Sequence, residues 1–285
     1  VQSEVVEWFA AHGRDLPWRR DGFTAWGALV SEFMLQQTPV SRVLPRLDEW
    51  LTRWPTPAAL AVASPADAVR AWQNLGYPRR ALWLHSCAVT IVAEHNGEVP
   101  HDVDALLRLP GVGPYTARAI AVFAFRAHEP VVDTNIRRVI ARAVHGESDQ
   151  GPPSTARDLA DMTALLPSPD VSPEFNAGMM ELGAIVCTAR NPSCDVCPLS
   201  DSCAWRADGY PVSDAPRRRP QAKYEGSDRQ ARGAVLKLLR ESRGPLSHAE
   251  LARAWPNAPQ RDRAIMSLCD DGLIVATLDT FSLPD

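Results

Sequence analysis

Four cysteines, spaced Cys187-x6-Cys194-x2-Cys197-x5-Cys203, constrain this chain more than any other feature. Thiols packed so closely in sequence, in a chain of 285 residues without a secretory leader, point to a metal site rather than a disulfide framework. Cys87 and Cys269 stand outside the group. One tetrahedral zinc or one cubane iron–sulfur cluster would each need four ligands converging from such a loop, and spacing alone leaves both open. Zinc ribbons usually bring their ligands as two separated pairs, whereas a proline after the third cysteine, here Pro198, is a feature of cluster-binding loops. With four cysteine ligands no coordination position is left for catalysis, so the metal is expected to staple the loop.

The composition, 45% hydrophobic and 22% charged, excludes disordered and fibrous classes. No apolar run approaches the roughly 18 residues a membrane span needs, and the N-terminus lacks the layout of a signal peptide. The expectation is therefore a cytoplasmic chain without membrane contact. A net charge of −4 argues against nucleic-acid binding by bulk electrostatics, though a local basic groove would suffice. Lys223 and Lys237 are the only lysines, and every basic residue before Lys223 other than histidine is an arginine. A codon bias explains this, yet it also restricts the available chemistry.

Apolar residues recur at helical spacing up to Val144, and prolines or glycines at Pro55, Pro57, Pro65, Gly76 to Pro78, Pro100 and Pro110 to Pro114 cut the pattern into short helices. Residues 1–206 read as one all-α region. The stretch 207–227, rich in Pro, Asp and Arg, reads as a linker. After it, helical patterns near Arg232 to Arg240, Ser247 to Trp255 and Gln260 to Asp271 precede the alternating LIVATLDTFSL. Three helices and a terminal hairpin predict a winged-helix-like module over 228–285. There are no internal repeats.

Three further motifs carry chemistry. In Leu109-Pro110-Gly111-Val112-Gly113-Pro114-Tyr115-Thr116-Ala117, two glycines around one apolar residue predict a tight hairpin between helices, centred in about 102–125. Backbone N–H groups of Gly111, Val112 and Gly113 could hold a DNA phosphate there without side-chain charge; the plain alternative is a helix corner. In Ser31 to Thr38 (SEFMLQQT), Trp26, Leu29, Val30, Phe33 and Met34 form the core stripe of a helix, while Glu32, Leu35 and Gln36 project elsewhere. A single carboxylate among amides and apolar groups tends toward a raised pKa, as a general acid requires, against the plainer reading of an exposed glutamate. In Val131-Val132-Asp133-Thr134-Asn135, an Asp between an apolar run and a helix is usually an N-cap, and one held by backbone N–H groups is expected to stay ionised and to face a developing cation.

Together with Arg14-Asp15-Leu16-Pro17-Trp18-Arg19, Leu75-Gly76-Tyr77 and Met180-Glu181-Leu182-Gly183-Ala184, these motifs resemble, in this order, the helix–hairpin–helix DNA glycosylases, and most of all their adenine-specific branch. The likeness spans Arg14 to about Cys203. It implies an all-α fold of two helical modules with the substrate cleft between them, a [4Fe-4S] cluster on Cys187, Cys194, Cys197 and Cys203, and double-stranded DNA as partner. It implies that Glu32 protonates the adenine ring, that Asp133 stabilises the sugar cation, and that Tyr115 and Asn135 support them. Arg14, Trp18, Arg19, Leu35 and Glu181 would line the base pocket, and Gln37 would enter the base stack. The expected substrate is adenine opposite 8-oxoguanine or guanine, removed by a monomeric, nucleoid-associated bacterial enzyme.

Relatives resembling endonuclease III use a lysine after the hairpin to form a Schiff base and cut the strand. Here the corresponding region reads Pro114-Tyr115, so a monofunctional enzyme leaving an abasic site is expected. Two rival readings stand beside it: a same-fold glycosylase for another mismatch such as thymine opposite guanine, and a non-enzymatic cluster-containing DNA-binding regulator, which would need no acid at Glu32. One departure from the family is the C-terminal region. Such enzymes commonly carry a larger Nudix-like domain that reads 8-oxoguanine, where this chain has a short winged-helix-like segment whose third helix includes Asp262 and Asp270 and ends at Asp271.

Overall fold

The computed structural model describes residues 1–212 and 223–285; the central part of the expected linker, 213–222, lies outside them. The elements run α1 (Gln2–His12), α2 (Ala25–Leu35), α3 (Val40–Arg53), α4 (Pro57–Ala61), α5 (Pro65–Trp72), α6 (Arg79–Glu94), α7 (Val103–Arg108), α8 (Pro114–Phe125), α9 (Thr134–Ala143), α10 (Thr155–Leu165), α11 (Ser172–Ile185) and α12 (Ala204–Ala207). Beyond the linker come α13 (Asp228–Glu241), β1 (Leu246–Ser247), α14 (His248–Leu251), α15 (Ala258–Asp270), β2 (Val275–Thr277) and β3 (Thr280–Ser282). The all-α reading of the first two thirds holds. Proline sets several boundaries as expected: Thr56 and Ser64 cap α4 and α5 by accepting from Ala59 N and Asp67 N, and Pro57 and Pro65 follow at N1, where a missing N–H costs nothing.

The chain folds as two compact units. The first gathers Val1–Ala28, His101–Leu107 and the stretch from Val112 to the linker. In its core Val5 of α1, Phe175, Met179 and Leu182 of α11, Ile136 and Ile140 of α9, and Met162 of α10 are all buried together. Close approach of α11 to its neighbours depends on glycine. A Cβ on Gly178 would lie 2.8 Å from Val5 Cγ1, and one on Gly183 would lie 2.7 Å from the Asn135 carbonyl oxygen.

The second unit comprises Leu29–Pro100, Arg108–Gly111 and the C-terminal segment. Trp50, Trp72, Phe33, Leu29, Leu60, Leu84 and Ile91 are buried in it, and Trp50 meets Trp54 and Trp72 edge-on at ring separations of 4.7 and 5.7 Å. The expected α2 stripe of Trp26, Leu29, Val30, Phe33 and Met34 is buried, while Glu32, Leu35 and Gln36 are half-exposed. The C-terminal segment has the expected three helices and hairpin. It adds β1, which pairs with β3 to give a three-stranded antiparallel sheet of order β1-β3-β2. A two-residue strand ahead of α14 has no periodicity to betray it, because its partner arrives more than thirty residues later. Among the described residues no helix is long and apolar enough to cross a membrane.

Between α7 and α8 the expected hairpin is present. Gly111 has φ +78°, and a Cβ there would lie 2.8 Å from Trp83 Cβ and 2.9 Å from Phe33 Cε1. Backbone conformation and packing both demand glycine. Gly111→Ala is therefore expected to cost about 2–4 kcal/mol, combining left-handed strain with overpacking; a thermal melt matching the parent's would refute the tight hairpin. Gly113, in contrast, caps α8 with extended backbone and has open space around its missing side chain, with Pro114 at N1.

Candidate active site

Helix α9 begins at Asp133, whose Oδ1 accepts the Ile136 backbone N–H (2.7 Å) and whose Oδ2 accepts Asn135 Nδ2 (2.8 Å). Both oxygens are thus fixed at the positive end of a ten-residue helix. Burial raises the Asp133 pKa, opposed by these hydrogen bonds and by Arg138. Desolvation is the largest influence on the group, and the capping hydrogen bonds that favour its ionised form act against it.

Asn135 is itself held, because Arg138 Nη2 donates to its Oδ1 (2.9 Å). The same guanidinium donates to the Gly183 carbonyl at the C-terminal end of α11 and, through Nε, to the Cys187 carbonyl (2.7 Å). Upstream, the Val131 N–H is received by Asn176 Oδ1 (2.8 Å), and Asn176 Nδ2 donates to the Glu129 and Ser172 carbonyls. Asn176 is fully buried and pins the run that delivers Asp133. Tyr115 packs with Met180 against the small apolar cluster of Ala119, Val122 and Val131.

In the same unit, Glu181 of α11 is 1% exposed and gathers two arginines from the segment after α1. Arg14 donates from Nε to Oε1 (2.6 Å), from Nη2 to Oε2 (2.7 Å) and from its backbone N to Oε1 (3.0 Å), and Arg19 Nη2 adds a bond to Oε2 (2.8 Å). Trp18 lies half-buried in the 3-10 turn Pro17–Arg19 between them, and the Arg19 guanidinium stacks over Phe9 at 4.9 Å. Burial pushes the Glu181 pKa up, but the arginine bonds prevail and hold it at about 2, below the usual 4.5. A folded-state pKa below the unfolded one means that the stabilisation is complete above about 4.5 and is lost as pH falls through about 2. Glu181→Gln is accordingly expected to cost about 2–3 kcal/mol at neutral pH, at the low end for a buried pair because the half-exposed Arg14 can rehydrate. The loss should vanish when both proteins are melted near the bottom of that window; a deficit independent of pH would refute the charge role.

Of the expected site residues, this unit brings Arg14, Arg19 and Glu181 into direct contact, joins Asp133 to Asn135, and contains Trp18, Tyr115, Val112 and Gly113. Glu32, Leu35, Gln37 and Gly111 belong to the second unit. Glu32 is half-buried on α2, off the core stripe, and Gln37 is exposed just beyond that helix at φ +57°.

The four cysteines come together in the fold. Burial pushes the Cys197 thiol up to about 11, and proximity to Cys187, Cys203 and Cys194 adds to the shift, so the four sulfurs share one locality. Arg142 Nη1 lies 3.4 Å from Cys187 Sγ, and its guanidinium stacks on Trp205 at 4.6 Å, placing a cation where an anionic thiolate cluster needs one. Arg80, Arg138, Arg142 and Asn176 were not singled out in the sequence. An arginine-rich chain gives no local sign of which guanidinium is buried, although positions 135, 138 and 142 do share one helical face.

The architecture, with its glycine hairpin, capped Asp133 and cysteine loop, defines a base-excision DNA repair protein of the helix–hairpin–helix class. Residues 30–164 match the family described as HhH-GPD superfamily base excision DNA repair protein, and residues 187–203 match the iron-sulfur binding domain of endonuclease III. The chain is 56% identical over 284 residues to adenine DNA glycosylase of Mycobacterium tuberculosis, covering 99% of this chain and 93% of the relative. It is 38% identical to a thymine/uracil-DNA glycosylase of Pyrobaculum aerophilum, over 70% of this chain and 89% of that one. A solved thermostable thymine-DNA glycosylase superposes with a TM-score of 0.65 at 27% identity, covering 72% of this chain and 94% of that one. The chain belongs to the adenine DNA glycosylase family. Its cysteine loop is the family's [4Fe-4S] site.

Proposed function

We propose that this protein hydrolyses the N-glycosidic bond of adenine mispaired with 8-oxoguanine or guanine in duplex DNA and leaves an abasic site. A base inside the duplex is out of reach of any acid and must be extruded into a pocket. Adenine leaves poorly until a ring nitrogen is protonated, and its departure leaves a sugar with oxocarbenium character. Glu32 supplies the proton and the Asp133 carboxylate stabilises the cation. The observation that carries this reading is the fixing of Asp133: both oxygens are held, by a backbone N–H and by an amide that Arg138 in turn orients.

Arg14, Trp18, Arg19, Leu35 and Glu181 shape the base pocket, with Glu181 kept ionised by its two arginines. Tyr115 and Asn135 support the chemistry, Gln37 fills the stack beside the extruded base, and the first N–H groups of α8 with Gly111, Val112 and Gly113 take a phosphate. Cys187, Cys194, Cys197 and Cys203 hold the cluster, which supplies a rigid loop and no open coordination site.

Purified protein is offered duplexes with adenine opposite 8-oxoguanine, adenine opposite guanine, or thymine opposite guanine, followed by alkaline cleavage. Release from the first two is expected; release of thymine alone would favour the alternative mismatch, and release from none would sink the enzyme reading. Since no lysine precedes Lys223, borohydride added during turnover is expected to trap no covalent protein–DNA species. Strand cleavage that keeps pace with base release, without alkali, would overturn the monofunctional assignment, whereas slow nicking by the N-terminal amine would not.

A further inference from the structure

Between α5 and α6 three of five residues lie at positive φ, and two of them carry side chains and are strained. Gln73 (φ +45°, ψ −124°), Gly76 (φ +88°) and Tyr77 (φ +46°) all lie at positive φ. For a residue with a side chain this conformation is disfavoured, and it persists only where the surroundings over-determine the backbone. Here four consecutive carbonyls are each held by a different side chain. Gln73 O accepts from Arg240 of α13, Asn74 O from Arg42 of α3, Leu75 O from Thr38 (3.1 Å), and Gly76 O from Trp72 Nε1 (2.8 Å). Arg80 completes the arrangement: it donates to the Gln36 carbonyl while its guanidinium lies 4.5 Å from the centre of the Tyr77 ring. One buried cation thereby links two turns whose tips, Gln37 and the half-exposed Tyr77, both sit at positive φ.

The C-terminal segment grips this turn at both ends. Arg240 holds Gln73, and Asp271, the residue that closes α15, accepts Arg79 Nη1 (3.4 Å) two positions past Tyr77. Asp271 is itself fixed by Arg232. Arg240 is poorly served where it lies. Its Nε and Nη2 are buried without a hydrogen-bond partner among the described residues, and burial lowers its pKa to about 10. Orphaned buried N–H groups are destabilising, so the stability of α13 does not explain this arginine. Its reach to the carbonyl at the negative end of α5 does. The exposed face of α15, meanwhile, carries Asp262, Arg263 and Asp270, so it presents no excess of positive charge to phosphates.

We infer that the C-terminal helices and sheet are a brace rather than a DNA reader: through Arg240 and Asp271 they fix the Gln73–Arg79 turn, and through Arg80 the Gln37 tip, in the shape that enters the duplex beside the extruded base. Arg240 and Asp271 are positioning residues. The inference rests on the proposed insertion of Gln37 and adds the element that holds it ready.

The test uses the full chain as Arg240→Met, Arg240→Lys and Asp271→Asn. Single-turnover release is measured from two duplexes: adenine stacked opposite 8-oxoguanine, and adenine opposite an abasic position, which needs little extrusion. Arg240→Met is expected to slow the first by about tenfold or more, the scale of a misplaced positioning group, and to leave the second near the parent's rate. Arg240→Lys, which keeps one donor for Gln73 O, restores part of the loss, and Asp271→Asn repeats the pattern from the other end if Arg240→Met folds poorly. Equal slowing on both duplexes, or on neither, overturns the brace. Fluorescence of 2-aminopurine at the target position reads extrusion without bond cleavage. A parent that extrudes but cleaves nothing contradicts the proposed function alone, whereas Arg240→Met extruding as fully as the parent contradicts the brace.

Discussion

Replacing Glu32 by Gln is expected to slow single-turnover release of adenine by ~10²–10⁴-fold, the contribution of a general acid, equivalent to about 2.7–5.4 kcal/mol of barrier. The substitution keeps the shape of the side chain and removes its proton. Glu32 lies off the buried stripe of α2, so Leu29, Val30, Phe33 and Met34 keep their packing and the melting temperature should move by no more than about 2–4 °C. Duplex affinity should be retained, because neither residue type contributes a positive charge. Release within a few-fold of the parent would remove Glu32 from the chemistry. It would also revive the reading of a DNA-binding regulator.

Asp133→Asn separates two roles that coincide at one residue. Asparagine is as good an N-cap as aspartate, so the bond from Ile136 N and the start of α9 should survive, while the bond from Asn135 Nδ2 is lost because the new amide nitrogen is itself a donor, at a cost of about 1–3 kcal/mol. A neutral amide cannot stabilise a sugar cation, and a rate loss of ~10²–10³-fold is expected, the scale of removing one preorganised electrostatic group. Because burial raises the Asp133 pKa, its carboxylate takes up a proton at a less acidic pH than an ordinary aspartate. The parent should therefore show an acidic limb in its rate profile above about pH 3.9, lost as pH falls, and the variant's residual rate should lack it. Near-normal turnover by Asp133→Asn would reduce the residue to a cap.

The sequence was most legible where a local rule leaves one solution. The Leu109 to Ala117 run yields its hairpin because the left-handed turn at Gly111 and the proline at N1 are encoded within nine residues. Asp133 reads as an N-cap for the same reason. The α2 stripe was recoverable from its period, and with it the separate face of Glu32. Elsewhere the deciding contacts are distant in sequence. β1 pairs with β3 across the whole of α14 and α15, so nothing near Leu246 announces it. The hydrogen bonds that favour an ionised Asp133 are local to its N-cap, while the burial that opposes them depends on residues distant in sequence.

The amino-acid order alone determined the cysteine spacing, the glycine turn, the absence of lysine before Lys223 and the two acids at the ends of periodic helices. Each follows from backbone conformation or side-chain chemistry over a few neighbouring positions. Only the folded chain decided which arginines are buried and what they grip: Arg138 on Asn135, Gly183 and Cys187, Arg80 on Gln36 and Tyr77, Arg240 on Gln73. A guanidinium at the end of a flexible stem carries no local preference for water or protein. Its partner is set by carbonyls brought near from as far as 167 residues away, and that is information no short window contains.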